Sequence, residues 1–433
     1  MVSVENIHLL PSTSRRRDYV SGASGDGEDS FLSPDSSRYS YRTPLILATI
    51  GVAIVLLSFV PTLVQQRSFH SRLSAAGLPL LGNSKKKHQS KKHEAYSECE
   101  NDKSYSKHTL KSAYDLPYAA LFRDTRGQSK FEASDVTIVN DSVFSVCDNS
   151  WAISKFTRDL IPFSDKNVQI GDPNREEDEE SGYEAIFEHR GLFYVVRESV
   201  YHADHDEDGE GGEKTKEESS SGDYHAIIEE LQLGEDDYNL VRECQCEFAF
   251  EGDSKGFEGA VGFPDIHGTL YILGLCEGNH CSEAKKNDVG NGRVVLMRKK
   301  EEGDEGNKCM WMTERVVKIP KSAAFLDYSA IDITADGRVA IASQENSSVW
   351  LGHAIGVTNG IIVPEEFEFG DDSNSVLQFP KDGGCHTRYC NVEGIHFIND
   401  EMLMAVSDKM KSKGRQDFRC HEKDQSIHTF VIP

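Results

Sequence analysis

Residues Glu393–Asp408, EGIHFINDEMLMAVSD, read as two short apolar strands joined by a tight polar turn. The turn pair Asn399-Asp400 belongs to the residue types that tolerate positive φ and close hairpins. The same phrase occurs four more times. It appears in Glu132–Asp148 (EASDVTIVNDSVFSVCD) and in Glu184–Val196 (EAIFEHRGLFYVV). It returns in Glu258–Leu273 (EGAVGFPDIHGTLYIL) and in Tyr328–Ala342 (YSAIDITADGRVAIA). The corresponding turns are Asn140-Asp141, Arg190-Gly191, His267-Gly268 and Asp336-Gly337.

The five segments begin 52, 74, 70 and 65 residues apart. The second gap contains a 22-residue stretch, His202–Asp223, rich in Asp, Glu, Gly and Ser, and without it that gap also shortens to 52. Such a composition cannot bury enough apolar surface to order itself. A hairpin recurring at this interval leaves room for two more strands per unit. Candidates are Ala152–Phe156, Ala226–Leu231, Arg293–Arg298 and Ser348–Leu351. Four-stranded sheets repeated radially make a β-propeller, so residues 111–433 are expected to form an all-β propeller of five or six blades. The competing two-layer sandwich places strands about 8–12 residues apart with no longer period.

Ahead of the repeats the chain changes character. Pro44–Val64, PLILATIGVAIVLLSFVPTLV, carries no charge and is long enough to cross a hydrocarbon core of about 30 Å as a helix. It begins too far from Met1 and runs too long for a cleaved signal peptide. The expected organisation is therefore a disordered tail (1–43), one transmembrane signal-anchor helix (44–64), a flexible Ser-, Lys- and His-rich stalk (65–110) and the propeller. Arginines and lysines flank the span almost evenly, so basic residues do not orient it. All ten cysteines lie after it, as expected if that side alone meets an oxidising compartment. The sequons at Asn140 and Asn346, candidate glycosylation sites, fall on the same side. A type II topology follows, with the propeller luminal or extracellular. In the cytosolic tail Glu5, Leu9 and Leu10 resemble an acidic dileucine sorting signal. That signal implies endosome, vacuole, lysosome or Golgi, with the plasma membrane as the destination where it is not read.

The blade openings of the form E-[AG], followed by Val146-Cys147-Asp148 or Val406-Ser407-Asp408, resemble the broad propeller group that includes the esterase-like phytase and SdiA-regulated families. The resemblance spans roughly residues 112–433 and implies either hydrolysis of phosphate esters or a binding role without chemistry. Tyr328 departs from it, standing where a Glu is expected.

In a propeller the residue opening each inner strand lies near the axis. Glu132, Glu184, Glu258 and Glu393 are thus expected to converge at one mouth of the channel, with Tyr328 in the fifth place. Facing carboxylates suit a hard cation, Ca²⁺ or Mg²⁺, which could be structural or could polarise an ester oxygen. Alternatively they accept backbone N–H bonds from the next blade. His386, His396, His421 and His428 crowd the last 50 residues, where a general base is conceivable. No G-x-S-x-G, H-E-x-x-H or P-loop occurs.

The cysteine spacing contains no C-x-x-C, which argues against zinc and for disulfides. Cys276–Cys281 and Cys385–Cys390 are the preferred local pairs; Cys244 and Cys246 share one strand face and are expected to pair elsewhere. The formal charge of −25 excludes a phosphate-backbone partner. The sequence thus describes a membrane-tethered binding or scaffold module for a protein or small molecule. A divalent-cation-dependent hydrolase of phosphate or carboxylic esters is the alternative.

Overall fold

The computed structural model describes residues 107–175, 180–202, 223–251, 255–278, 281, 290–300, 309–371, 376–410, 416 and 418–433. The tail, the span at 44–64, the sorting motif and nearly all of the expected stalk lie outside them. Among the described residues no helix is long and apolar enough to cross a membrane.

The fold opens with β1 (Lys111–Pro117) and continues in five antiparallel units. Blade 1 holds β2 (Ala133–Val139), β3 (Ser142–Cys147), β4 (Ser150–Thr157) and β5 (Val168–Ile170). Blade 2 is β6 (Tyr183–His189), β7 (Leu192–His202), β8 (Asp223–Leu233) and β9 (Tyr238–Phe250). Blade 3 is β10 (Phe257–Pro264), β11 (Leu270–Cys276), β12 (Arg293–Lys299) and β13 (Met310–Lys318). Blade 4 is β14 (Ala330–Ile333), β15 (Arg338–Ser343) and β16 (Ser348–Ile355). The short hairpin β17 (Val357–Thr358) and β18 (Ile361–Ile362) follows β16, and then come β19 (Glu368–Phe369) and β20 (Val376–Gln378), which both pair with β16. Blade 5 is β21 (Val392–Asn399), β22 (Met402–Ser407) and β23 (Ser426–Val431), with β1 as its outer strand.

All five repeats are therefore inner hairpins, and the four candidate third strands are β4, β8, β12 and β16. The acidic stretch leaves the β7–β8 hairpin, whose ends still pair at His202 and Asp223.

Side-chain burial shows why the units close into a ring. The chain has five apolar clusters, one between each pair of neighbouring blades among the described residues. Middle strands feed two clusters at once. Along β22, Leu403 and Ala405 face blade 4 while Met404 and Val406 face blade 1. A strand covered on both faces must be apolar at successive positions, which accounts for runs such as MLMAV. The cluster between blades 5 and 1 closes the circle, and the inner strands β2, β6, β10, β14 and β21 stand side by side around the axis. This is a β-propeller of five blades, so the sixth allowed by length is absent among the described residues.

Close approach at the axis needs missing side chains. A Cβ on Gly394 would lie 2.6 Å from Asp135 Cα, and one on Gly259 would lie 2.9 Å from the Ile331 nitrogen. The glycines thus let blade 5 meet blade 1 and blade 3 meet blade 4.

The propeller starts earlier than the sequence suggested. Thr109 bridges to Gln378, and Leu110, placed in the stalk by composition, is 1% exposed in the core between blades 4 and 5.

Three disulfides are described. Cys276–Cys281 follows the local expectation, and Cys244 joins Cys309. Cys385–Cys390 does not form: Cys390 bonds Cys420, and Cys385 is disulfide-bonded elsewhere. The reason is local. Cys385 sits at positive φ in a turn whose Asp382 oxygen accepts its N–H, whereas Cys390 leads into β21 beside the turn carrying Cys420. Cys246 and Cys147 stay buried thiols, so the expectation of a partner for Cys246 fails.

Candidate functional site: the acidic end of the axis

Each inner strand except β14 begins with a register break, between Ala133/Asp135, Tyr183/Ala185, Phe257/Gly259 and Val392/Gly394. The extra residue in each is a β-bulge, which turns a side chain out of the ladder. Those residues are Ser134, Glu184, Glu258 and Glu393, and Ser329 holds the matching place ahead of β14. Three of the expected glutamates therefore occupy equivalent positions. Glu132 does not, being two residues early, and Tyr328 is one residue early. In the first motif the acid precedes the bulge by two residues, and β14 has no bulge at its start. Glu132 instead lies 3.7 Å from Lys409, and Tyr328 is buried with its hydroxyl donating to the Ala323 carbonyl at 2.8 Å.

A second tier of acids comes from the second strands, three of them directly after the strand and Glu198 within β7. The backbone N–H groups of Asp148, Glu198, Glu277 and Asp408 donate to the carbonyls of Glu132, Gly182, Gly256 and Asn391 at 2.8–3.2 Å, one contact repeated in four blades. Asp148 and Asp408 are the acids that end the Cys147-Asp148 and Ser407-Asp408 motifs. The sequence showed them as signposts, not as site residues.

The electrostatic outcome is strong. Burial, and then the charges of Glu258, Glu198, Glu393 and Asp148, push the Glu184 carboxyl well above the usual carboxylate range. Glu184 is only 9% exposed, and among the described residues no hydrogen bond or ion pair engages it. Burial and the fields of Asp408, Glu132, Glu180 and Glu198 raise Asp148 to about 8, and its Oδ1 is buried with no hydrogen-bond partner. Two lysines answer part of this charge: Lys255 on Glu277 at 2.8 Å and Lys409 near Glu132. Among the described residues no group of three or more His, Cys, Asp or Glu side chains is drawn together tightly enough to hold a metal ion.

Bonds to the next blade's backbone do occur along the inner strands, but aspartates make them. Asp135 Oδ2 accepts the Ile186 N–H at 2.8 Å, and Asp332 Oδ2 accepts the Phe397 N–H at 2.7 Å. His396 Nδ1 lies 3.3 Å from Asp332, giving that histidine a packing partner. The signal for both aspartates was a lone acid inside an apolar strand, SDVTIV and AIDI.

The other histidines lie off the axis. His386 packs in the Asp382 turn, with Nδ1 3.0 Å from Asp382 Oδ2, and His421 is exposed near Asp424. His428 is buried between Ser407 and Asp115: Ser407 Oγ lies 2.9 Å from Nε2 and Asp115 Oδ1 lies 2.8 Å from Nδ1. That order of contacts is the order of a serine nucleophile relay. Ser407 and His428 are, however, 1% and 0% exposed, so no substrate reaches the hydroxyl in this conformation.

The sequons Asn140 and Asn346 are both exposed, Asn140 in the β2–β3 turn and Asn346 in the turn before β16.

No protein-family model and no curated protein sequence matches the chain. Among solved structures it is similar to a luciferin-regenerating enzyme at 10% identity and a TM-score of 0.35, covering 74% of this chain and 95% of that one. It is also similar to the PQQ-bound aldose sugar dehydrogenase of Streptomyces coelicolor, at 11% identity and a TM-score of 0.32, covering 73% and 98%. The extracellular domains 1-2 of Drosophila semaphorin 1a align at 7% identity and a TM-score of 0.32, covering 71% and 65%. The propeller assignment stands on the strand pairings and the five seam clusters.

Proposed function

We propose that this protein is a membrane-tethered β-propeller that works as a binding module, its acidic axial mouth receiving a cationic group of a protein or small-molecule partner. The observation that carries this reading is Glu184: a nine-tenths buried carboxylate with no partner of its own, ringed by Glu258, Glu198, Glu393 and Asp148. Leaving a buried carboxyl unpaired is costly unless an incoming cation or a proton satisfies it. An ammonium or guanidinium can serve several carboxylates spread around a mouth, whereas a small metal ion needs them drawn together. In this reading the span at 44–64 holds the propeller at a luminal or extracellular face, and Glu5, Leu9 and Leu10 set its destination.

The second reading, a divalent-cation-dependent hydrolase like the esterase-like phytases that the blade openings resemble, draws support from Asp148. A carboxyl raised to about 8 is suited to proton transfer near neutral pH.

Calorimetric titration of the full-length chain with hexa-arginine peptide, CaCl₂ and MgCl₂ separates the two. The binding reading expects salt-sensitive uptake of the peptide, weakened about tenfold or more by Glu184→Gln, which removes one partly buried charge partner. Absence of peptide binding sinks it. Turnover of a phosphate or carboxylic ester that chelator abolishes would install the hydrolase in its place.

A further inference from the structure

The strand that closes the ring has little apolar surface with which to do so. Of the seven residues of β1 only Leu116 is buried, and Lys111 to Tyr114 are exposed. Its backbone ladder with β23 is broken between Ser112 and Tyr114. The side-chain hold is concentrated on Asp115. Its carboxylate accepts from Ser112 Oγ at 2.9 Å, Lys423 Nζ at 2.8 Å, the Tyr389 hydroxyl at 3.1 Å and His428 Nδ1 at 2.8 Å. Thus β1 itself, the turn ahead of β23, the loop ahead of β21 and β23 all supply donors to one residue.

We propose that this clamp is an acid-labile latch, which lets β1 leave blade 5 when His428 and then Asp115 take up protons while the inner hairpins stay folded.

The hydrogen-bond order supports this. A carboxylate only accepts, so His428 Nδ1 carries the hydrogen and Nε2 of the neutral ring accepts the Ser407 hydroxyl. A second proton on the ring has to displace that hydroxyl inside a fully buried site. The groups facing His428 are Asp115 from β1, Lys423 from the preceding turn, Ser407 from β22 and the edge of Tyr389, 5.0 Å between ring centroids. Asp115 and, less strongly, a hydrogen bond with the Lys423 backbone favour the imidazolium; burial first and then the Lys423 charge oppose it, and together they hold the ring below its ordinary value of 6.5. For Asp115, burial works toward a higher value, but hydrogen bonds and charge from His428 and Lys423 outweigh it and hold the carboxyl far below its ordinary 3.8.

The signs follow. A histidine depressed by folding costs nothing above its unfolded pKa, and the released state gains the proton first as pH falls through about 6.5. A depressed aspartate contributes stability above its unfolded pKa and loses it as pH falls below about 4. The latch therefore weakens in two steps on acidification. The first falls between neutral and mildly acidic pH.

Hydrogen–deuterium exchange on the full-length chain, corrected for intrinsic rates, tests this at about pH 7.5 and about pH 5.5. In the acidic arm residues 111–117 are expected to lose up to about tenfold protection, while β2, β6 and β21 change less than about twofold. His428→Gln keeps a donor to Asp115 and removes the titration, so its pH response at β1 should vanish. Lys423→Gln should loosen β1 already at neutral pH. Protection of β1 that is unchanged by pH, that falls together with the inner strands, or that responds equally in His428→Gln overturns the proposal. If His428→Gln does not fold, the comparison of β1 with the inner strands in the unaltered chain still decides it.

Discussion

Asp115 and Asp148 are the same residue type under opposite treatment. Asp115, on the closing strand, is surrounded by four donors and is held far below the usual carboxylate range. Asp148, at the axial mouth, has a buried oxygen with no donor and carboxylates around it, and it rises to about 8. The ring is secured where the carboxylate is answered, and it stores unfavourable electrostatics where it is not. Binding sites often show the second pattern, because a group left unsatisfied by the fold is available to a ligand.

The contrast is easiest to break at Asp115. Asp115→Ala leaves Lys423 without its anion in a partly buried site, and should lower stability at neutral pH by about 2–4 kcal/mol in denaturant melts. A change near zero would mean that the backbone ladder alone holds β1. Next in size is Asp135→Ala, which strands the Ile186 N–H between blades 1 and 2 and should cost about 1–3 kcal/mol. Asp148→Asn should move the other way. A carboxyl raised by folding contributes most below its unfolded pKa and loses that contribution as pH rises through about 8. Removing the charge should raise stability at about pH 8 by on the order of 1–2 kcal/mol after allowance for solvent, and flatten its decline with pH. It should also weaken capture of hexa-arginine, the sharpest joint test of the mouth. A destabilised Asp148→Asn would show that the charge is satisfied after all.

Much of the architecture was legible because a propeller writes its inner hairpin in local terms. Alternation, a turn of residues tolerant of positive φ, and a doubly buried second strand all fall within about 15 neighbouring residues. What escaped was non-local. The closing strand KSAYDLP has one buried side chain, and its partner lies more than 300 residues on, so nothing nearby marks it. Leu110 looked like the end of a stalk for the same reason. At the mouth, the motif start marked Glu132, two residues ahead of the bulged Ser134, and Tyr328, one residue ahead of Ser329, on the one inner strand that opens without a bulge. Asp135 and Asp332 were visible as lone acids in apolar strands, yet their acceptor role depends on which blade sits next door. The bond from Cys390 to Cys420 likewise depends on how two turns meet, whereas Cys276–Cys281 closes within one loop.

Blades 2 and 3 differ from the rest of the circle. Their outer strands β9 and β13 run parallel and pair at Gln245–Met310 and Cys246–Trp311, and Cys244–Cys309 bonds the same junction. The two sheets thus form a single eight-stranded plate. Any breathing of the circle has to be taken up at the four remaining joints, and a guest wedged into the mouth would spread it lopsidedly. Because β1 completes the blade opposite this plate, a pull transmitted from the chain ahead of residue 107 would fall on a moving part, with the rigid plate as its counterweight.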